Sequence, residues 1–308
     1  MDIGIVGLGR MGGNMVRRLA RGGVSVTGWA LEADVTQSLG KETGFSPPDS
    51  LEAMVGQLDT PRAVWIMVPA GAATESTIVA LKGLLSAGDV VVDGGNSMYK
   101  DSIRHGEDLA GLGIGFVDAG VSGGVWGLSE GYALMVGGAP EHVTRVEPFL
   151  RVLAPGSERG WTHCGPAGSG HYVKMIHNGI EYGMMQAFAE GFALMEGRRE
   201  FELDLAAIAE SWRHGSVVRS WLLDLIAEFL DQDAALSGIA PFVSDSGEGR
   251  WTVIDSIEQG VPAPVITMAM AARFASQGKA DYGNRMLAMM RNAFGGHAVK
   301  DAAGEGGQ

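Results

Sequence analysis

The chain has 308 residues, of which 46% are hydrophobic and 19% charged, with a formal net charge of −13 and a single cysteine. That balance describes a globular protein and excludes a collagen, a disordered acidic tail or a disulfide scaffold. Its acidity also argues against binding nucleic acid or an anionic membrane surface. No apolar run reaches the ~18 residues of a membrane span. The start, MDIGIVGLGR, shows no basic stretch followed by a signal-length apolar run, so a reducing cytoplasm is the expected setting. At roughly 100 to 200 residues per domain, the length predicts two domains.

In chain order, the first half alternates short apolar runs with amphipathic stretches. The runs are IGIV (3–6), VSVTGW (24–29), AVWIMV (63–68), VVVD (90–93), IGFVDA (114–119) and YALMVG (132–137). Strands of four to six residues separated by helix-length segments predict βαβ units in a mostly parallel sheet over residues 1–165. Beyond residue 165 the period changes to that of helices, expected over 168–197, 204–230, 251–277 and 281–293, with loops at 237–249 and 260–264. An all-helical domain is expected for 166–300, followed by a polar tail, DAAGEGGQ (301–308), with nothing to bury.

The first run enters Gly7-Leu8-Gly9-Arg10-Met11-Gly12 and then a helical pattern over 14–20, the setting in which GxGxxG signifies a dinucleotide-binding, Rossmann-type turn. Gly7 allows the turn, Gly9 the approach of a pyrophosphate, and Gly12 close helix packing. The bland counterpart is an ordinary glycine-rich βα turn. An acid at the end of the second strand would select NAD and a following Arg NADP. Ala30 stands at that position, no Arg follows, and Glu32 disfavours a 2′-phosphate, so the reading leans to NAD over NADP. Val68, Pro69 and Asn96 are added to the expected cofactor contacts by the family resemblance given below.

Lys174, His177, Asn178, Glu181 and Tyr182 fall at i, i+3, i+4, i+7 and i+8 of an otherwise apolar helix, hence on one face. Lys174 and Glu181 are about 10 Å apart along the axis, the length of a six-carbon chain. The alternative is a solvated stripe of ion pairs. His171 and Trp126 read as core or pocket residues, Asp93 as a structural acid at a strand end. The seven histidines show no metal-ligand spacing, and no metal is expected.

Several motifs together resemble the decarboxylating 6-phosphogluconate dehydrogenase family in its short, single-repeat form, within the β-hydroxyacid dehydrogenase superfamily. They are KMIHNGIEYGMMQ (174–186), DGGNS (93–97), VSGGVWG (121–127), GEGRWT (247–252), PAPVITMAMAARF (262–274) and RNAFGGH (291–297). The resemblance covers about residues 1–298. It implies oxidation of 6-phosphogluconate at C3, loss of CO2 and tautomerisation to ribulose 5-phosphate in the pentose phosphate pathway. Lys174 then matches the general base and Glu181 the acid that protonates C1. Asn96, Ser122, Gly123, Gly124, His177 and Asn178 match substrate contacts, and Tyr182, Arg250 and Arg273 match phosphate contacts. Arg291 and His297 match tail residues that reach the partner's site in a homodimer.

An unperturbed lysine, with a pKa of about 10.4, must be lowered by burial and nearby Arg charges before it can accept a proton near neutral pH. The Arg cluster would serve both that purpose and the phosphate of an anionic substrate on an acidic protein. Two other readings are weighed against this one. A β-hydroxyacid dehydrogenase or reductase acting on a smaller, unphosphorylated acid would have no use for Arg250 and Arg273. A non-catalytic nucleotide-sensing protein would bind cofactor without turnover.

Overall fold

The computed structural model describes residues 2–300, so the expected tail, 301–308, lies outside the described residues. The chain divides into two compact units, Met1–Ile176 and His177–Gln308. The expected domain boundary, 165/166, coincides with the end of the last strand. The units part eleven residues later, inside a helix that runs unbroken through Ser169–Glu196.

The first unit is built on seven strands in the order β2-β1-β3-β4-β5-β6-β7. They are β1 (Asp2–Val6), β2 (Ser25–Trp29), β3 (Ala63–Ile66), β4 (Val90–Asp93), β5 (Gly115–Ser122), β6 (Ala133–Gly138) and β7 (Trp161–Gly165). All neighbouring pairs are parallel except β5 and β6, where Asp118 faces Gly137 and Ser122 faces Ala133. Between the strands lie α1 (Arg10–Arg21), α2 (Ala33–Thr43), α3 (Leu51–Gly56), α4 (Ala72–Lys82), α5 (Tyr99–Ala110), α6 (Gly127–Glu130) and α7 (Pro140–Leu153).

β3 and β4 are buried along their whole length, as central parallel strands covered on both faces must be. The core splits accordingly into two clusters, one holding Ile3, Met15 and Trp65, the other Ile66, Ile78 and Val91. The six expected strands are all present. β7 carries no apolar alternation, has no fully buried residue, and is recruited by pairing with β6.

Helix α8 (Ser169–Glu196) is followed by α9 (Leu205–Arg213), α10 (Trp221–Gln232), α11 (Glu248–Gln259), α12 (Pro264–Ser276) and α13 (Asp281–Gly295). The expected helix over 204–230 is two helices, because Gly215 takes φ +91° and Ser220 caps α10 by accepting from Leu223 N–H. α9 and α10 bury Ala209, Leu223, Ala227 and Leu230 against Phe188 and Phe192 of α8. α13 has no buried residue. Among the described residues, no helix is long and apolar enough to cross a membrane.

Candidate active site

The turn after β1 is shaped by two glycines that nothing else could replace. Gly7 has φ +92°, and a Cβ on it would stand 2.5 Å from Met67 O. A Cβ on Gly12 would stand 1.9 Å from Gly7 O. Around Gly9, by contrast, a Cβ would meet no atom within 4 Å, so its backbone is open to an incoming group. Gly9 caps α1 without any side-chain bond, and the first turn holds no acid, which leaves N–H groups and the positive end of the helix dipole facing the opening. Arg10 is exposed, Met11 half-buried and Leu8 buried against β2. This cradle fits the pyrophosphate of a dinucleotide.

At the end of β2, Ala30 N–H donates to Thr36 Oγ1 (3.0 Å), which fixes the chain as it enters α2. Glu32 and Asp34 are exposed here. Arg17 shares a shallow pocket with Leu8, Asp34 and Ser38, but its guanidinium makes two 2.7 Å bonds to Glu42. That pair holds the Glu42 carboxyl below its ordinary range.

Beyond β3, Val68 is half-buried and Pro69 exposed, with Pro69 O accepting from Thr74 Oγ1 (3.1 Å). Beyond β4, the buried Asp93 accepts the Gly95 N–H (3.0 Å). This turn leaves Asn96 exposed between buried Gly95 and Ser97. Beyond β5, Gly123 (φ +130°) and Gly124 (φ +51°) let the chain turn sharply after Ser122. Lys174, in the second turn of α8, is buried beside this strand. A Cβ on Gly120 would lie 2.3 Å from Lys174 Cβ.

Along α8 the polar stripe resolves into two rows. Lys174, Asn178 and Tyr182 form a buried row at i, i+4 and i+8. His177 and Glu181 form the neighbouring row, each side chain 38% exposed, with His177 Nδ1 3.9 Å from Glu181 Oε2 and 3.2 Å from Asn178 Oδ1. Burial of Lys174 and Asn178 rules out a merely solvated stripe.

In the second unit, Tyr182 anchors a cationic cluster. The Arg273 guanidinium lies over the Tyr182 ring and donates to Ser244 O, while the Tyr182 hydroxyl meets Ser246 Oγ at 3.2 Å and accepts its N–H at 3.3 Å. Arg250 pairs with Asp245 and lies over the Phe274 ring, 4.8 Å from the centroid. Desolvation works against ionisation of Asp245, but the Gly247 N–H, Arg250 and Arg273 outweigh it and keep the carboxyl below its ordinary value. The structure thus brings Arg250 and Arg273 together around the 243–247 loop, whose Asp245, Ser244 and Ser246 were not singled out by sequence. The only sequence signal was their place directly before the GEGRWT motif.

Arg291, on α13, and His297, after its Gly296 cap, are exposed on the surface of the chain. Among the described residues, no group of three His, Cys, Asp or Glu side chains is arranged to hold a metal ion.

Two family models account for nearly the whole chain. Residues 2–165 match the NAD binding domain of 6-phosphogluconate dehydrogenase, and residues 170–301 match the 6-phosphogluconate dehydrogenase C-terminal domain. The NAD(+)-dependent, decarboxylating 6-phosphogluconate dehydrogenase of Haloferax volcanii is 40% identical over 301 residues, covering 97% of this chain and 98% of that relative. The Plasmodium falciparum 6-phosphogluconate dehydrogenase structure superposes with a TM-score of 0.84 at 27% identity, over 99% of this chain and 67% of that one. The 3-hydroxyisobutyrate dehydrogenase of Mycobacterium tuberculosis, at 23% identity and a TM-score of 0.72 over 91% of this chain and 94% of its own, shares the fold. With a nicotinamide-nucleotide domain and a helical domain both matched, the chain belongs to the 6-phosphogluconate dehydrogenase family of oxidoreductases.

Proposed function

We propose that this protein is an NAD-dependent 6-phosphogluconate dehydrogenase that oxidises and decarboxylates its substrate to ribulose 5-phosphate, as in the pentose phosphate pathway. The observation that carries the reading is α8, one helix bearing a buried Lys174, a half-exposed Glu181 seven residues on, and a Tyr182 covered by Arg273. The Haloferax relative, matched almost end to end, is named for this reaction with NAD(+), and the Plasmodium enzyme is described with 6-phosphogluconate as its substrate and NADP+ as its cofactor.

The glycine cradle after β1, with Val68, Pro69 and Asn96, would hold the cofactor, whose nicotinamide would supply the acceptor for the hydride leaving C3. Lys174, as a neutral amine, takes the C3 hydroxyl proton; such a placed base is worth about 10²- to 10⁴-fold in rate. The ammonium so formed polarises the new C3 carbonyl oxygen and passes its proton to it as the C1 carboxylate leaves as CO2, giving the enediol. Glu181 delivers a proton to the former C2, which becomes C1 of ribulose 5-phosphate, while the enediol hydroxyl returns its proton to Lys174. Asn96, Ser122, Gly123, Gly124, His177 and Asn178 orient the hydroxyls and carboxylate, and Tyr182, Arg250 and Arg273 take the phosphate. Glu32, Asp34 and the Arg17–Glu42 pair support NAD over NADP, and no metal is needed for the polarisation. The single cysteine supports a reducing, cytoplasmic setting.

The reading includes a homodimer in which Arg291 and His297 complete the partner's site, supported by the wholly unburied α13 with its exposed Leu287, Met289 and Phe294. Sedimentation should give twice the chain mass, and truncation before Arg291 should abolish turnover while leaving NAD binding.

The decisive assay offers 6-phosphogluconate with NAD or NADP and follows nicotinamide reduction and CO2 release together. Stoichiometric appearance of both, faster with NAD, is expected. Reduction without CO2, or activity only on short unphosphorylated hydroxyacids, would replace this reading with the second one. That second reading has one observation in its favour, the engagement of Arg250 by Asp245 in place of a free guanidinium.

A further inference from the structure

Asp118 is a fully buried acid in the middle of the apolar strand β5. Its Oδ1 accepts the Gly168 N–H and its Oδ2 the His171 N–H, each at 2.7 Å. Both donors belong to the entry of α8, where N–H groups lack intrahelical partners and the helix dipole favours a negative charge. The neighbourhood is cleared for this contact. A Cβ on Gly137 would stand 2.4 Å from Asp118 Oδ1, and a Cβ on Gly170 would stand 2.5 Å from both Asp118 O and Met135 O.

Residues alternate faces along a strand, so Asp118, Gly120 and Ser122 share one face of β5. In that order they anchor the start of α8, receive the Cβ of Lys174 and open the 122–124 turn. His171 and Lys174 are three positions apart, less than one helical turn. The helix is braced a second time, because His171 Nδ1 lies 2.7 Å from Ser102 Oγ, with both side chains buried. Ser102 sits in the first turn of α5, immediately after the loop that presents Asn96.

We propose that Asp118 is a positioning residue that fixes Lys174 against the Ser122 turn, and that Ser102, through His171, fixes the same helix against the Asn96 loop. The inference rests on Lys174 being the base of the proposed reaction. Carboxylate-to-N–H bonds are charge-assisted and short, and a displacement of about 1 Å at a reacting group can cost on the order of 100-fold in rate.

The test uses the full chain with two substitutions. Asp118→Asn keeps the shape but turns an amide NH2 toward a backbone N–H. Ser102→Ala removes only the second brace, and it decides alone should Asp118→Asn fail to fold. Steady-state turnover of 6-phosphogluconate is measured together with the dissociation constant of NAD. Independently of any substrate, an N-hydroxysuccinimide acetate labels amines, and the acetylation rate of Lys174 is read by peptide mass spectrometry against the exposed Lys41.

Expected are a kcat lower by about 10- to 100-fold in Asp118→Asn and about three- to tenfold in Ser102→Ala, with NAD affinity unchanged and a faster Lys174-to-Lys41 labelling ratio in both. A lowered melting temperature with kcat and labelling both at wild-type values would show the contacts to be structural only and overturn the proposal. Should wild type not turn over 6-phosphogluconate, the reaction assigned above falls, and the labelling ratio alone decides whether Asp118 and Ser102 place Lys174.

Discussion

The guanidinium of Arg273 sits 3.5 Å from the centroid of the Tyr182 ring while its Nη1 donates to Ser244 O at 2.7 Å. Stacked on one face and tethered at one nitrogen, it retains donors for two oxygens of a phosphate. Arg273→Ala should raise KM for 6-phosphogluconate by about 10- to 100-fold, the worth of a charge-assisted pair, and leave KM for gluconate nearly unchanged. Arg273→Lys should recover little, since an ammonium has neither the fork nor the flat face. Equal effects on both substrates would remove Arg273 from phosphate recognition.

Lys174→Ala should lower kcat by at least about 100-fold with the NAD dissociation constant near wild type. Isothermal titration beside steady-state kinetics separates the two quantities. A kcat within a few-fold of wild type would take Lys174 out of the proton transfer.

Gly9 and Gly12 should respond to alanine in opposite ways. Gly12→Ala forces a Cβ to within 1.9 Å of Gly7 O and should lower the melting temperature markedly. Gly9→Ala meets no atom of the protein within 4 Å, so it should fold normally and yet bind NAD at least about tenfold more weakly, because the methyl occupies the approach of the pyrophosphate. Normal NAD affinity in Gly9→Ala would place the cofactor elsewhere.

Glu75 should govern part of the acid limb of stability. Hydrogen bonds from Arg104 and then His105 hold its carboxyl down to about 2, against an ordinary value of 4.5. Since the folded value is the lower one, the contribution is present above pH 4.5 and is lost as pH falls toward about 2. Melting temperatures of wild type and Glu75→Gln should therefore differ at neutral pH and converge across that window. Parallel curves would mean that the Arg104 and His105 bonds add nothing measurable.

The parts of the fold that were legible in sequence are those with a periodic signal. β3 and β4 read as continuous apolar runs because both faces are covered, and the polar stripe of α8 stood out because a period of 3.6 brings Lys174, Asn178 and Tyr182 onto one row. β7 escaped because Trp161, Thr162 and His163 carry no alternation and owe their strand geometry to pairing with β6. The break between α9 and α10 was hidden because both halves are strongly apolar, and it rests on the Gly215 conformation and the Ser220 cap. At the site, the start of α8 depends on Asp118, fifty residues from Gly168, and the setting of Arg250 depends on a loop acid. A charge inside the apolar run IGFVDA was the visible clue to the first. For the second, a loop of mixed polarity offers no periodicity from which to infer which side chain turns back.

Helix α13, fifteen residues with none buried, has a practical corollary for anyone assaying the protein. A helix of that length that buries none of its residues among the described ones draws little stability from packing within the chain, and such a helix alone is marginal in water. If the proposed homodimer packs this helix, protomer concentration becomes a hidden variable of every rate constant. Dilute kinetic assays and concentrated calorimetry on one preparation would sample different C-terminal populations, and specific activity should be tabulated against protein concentration before any substitution is compared.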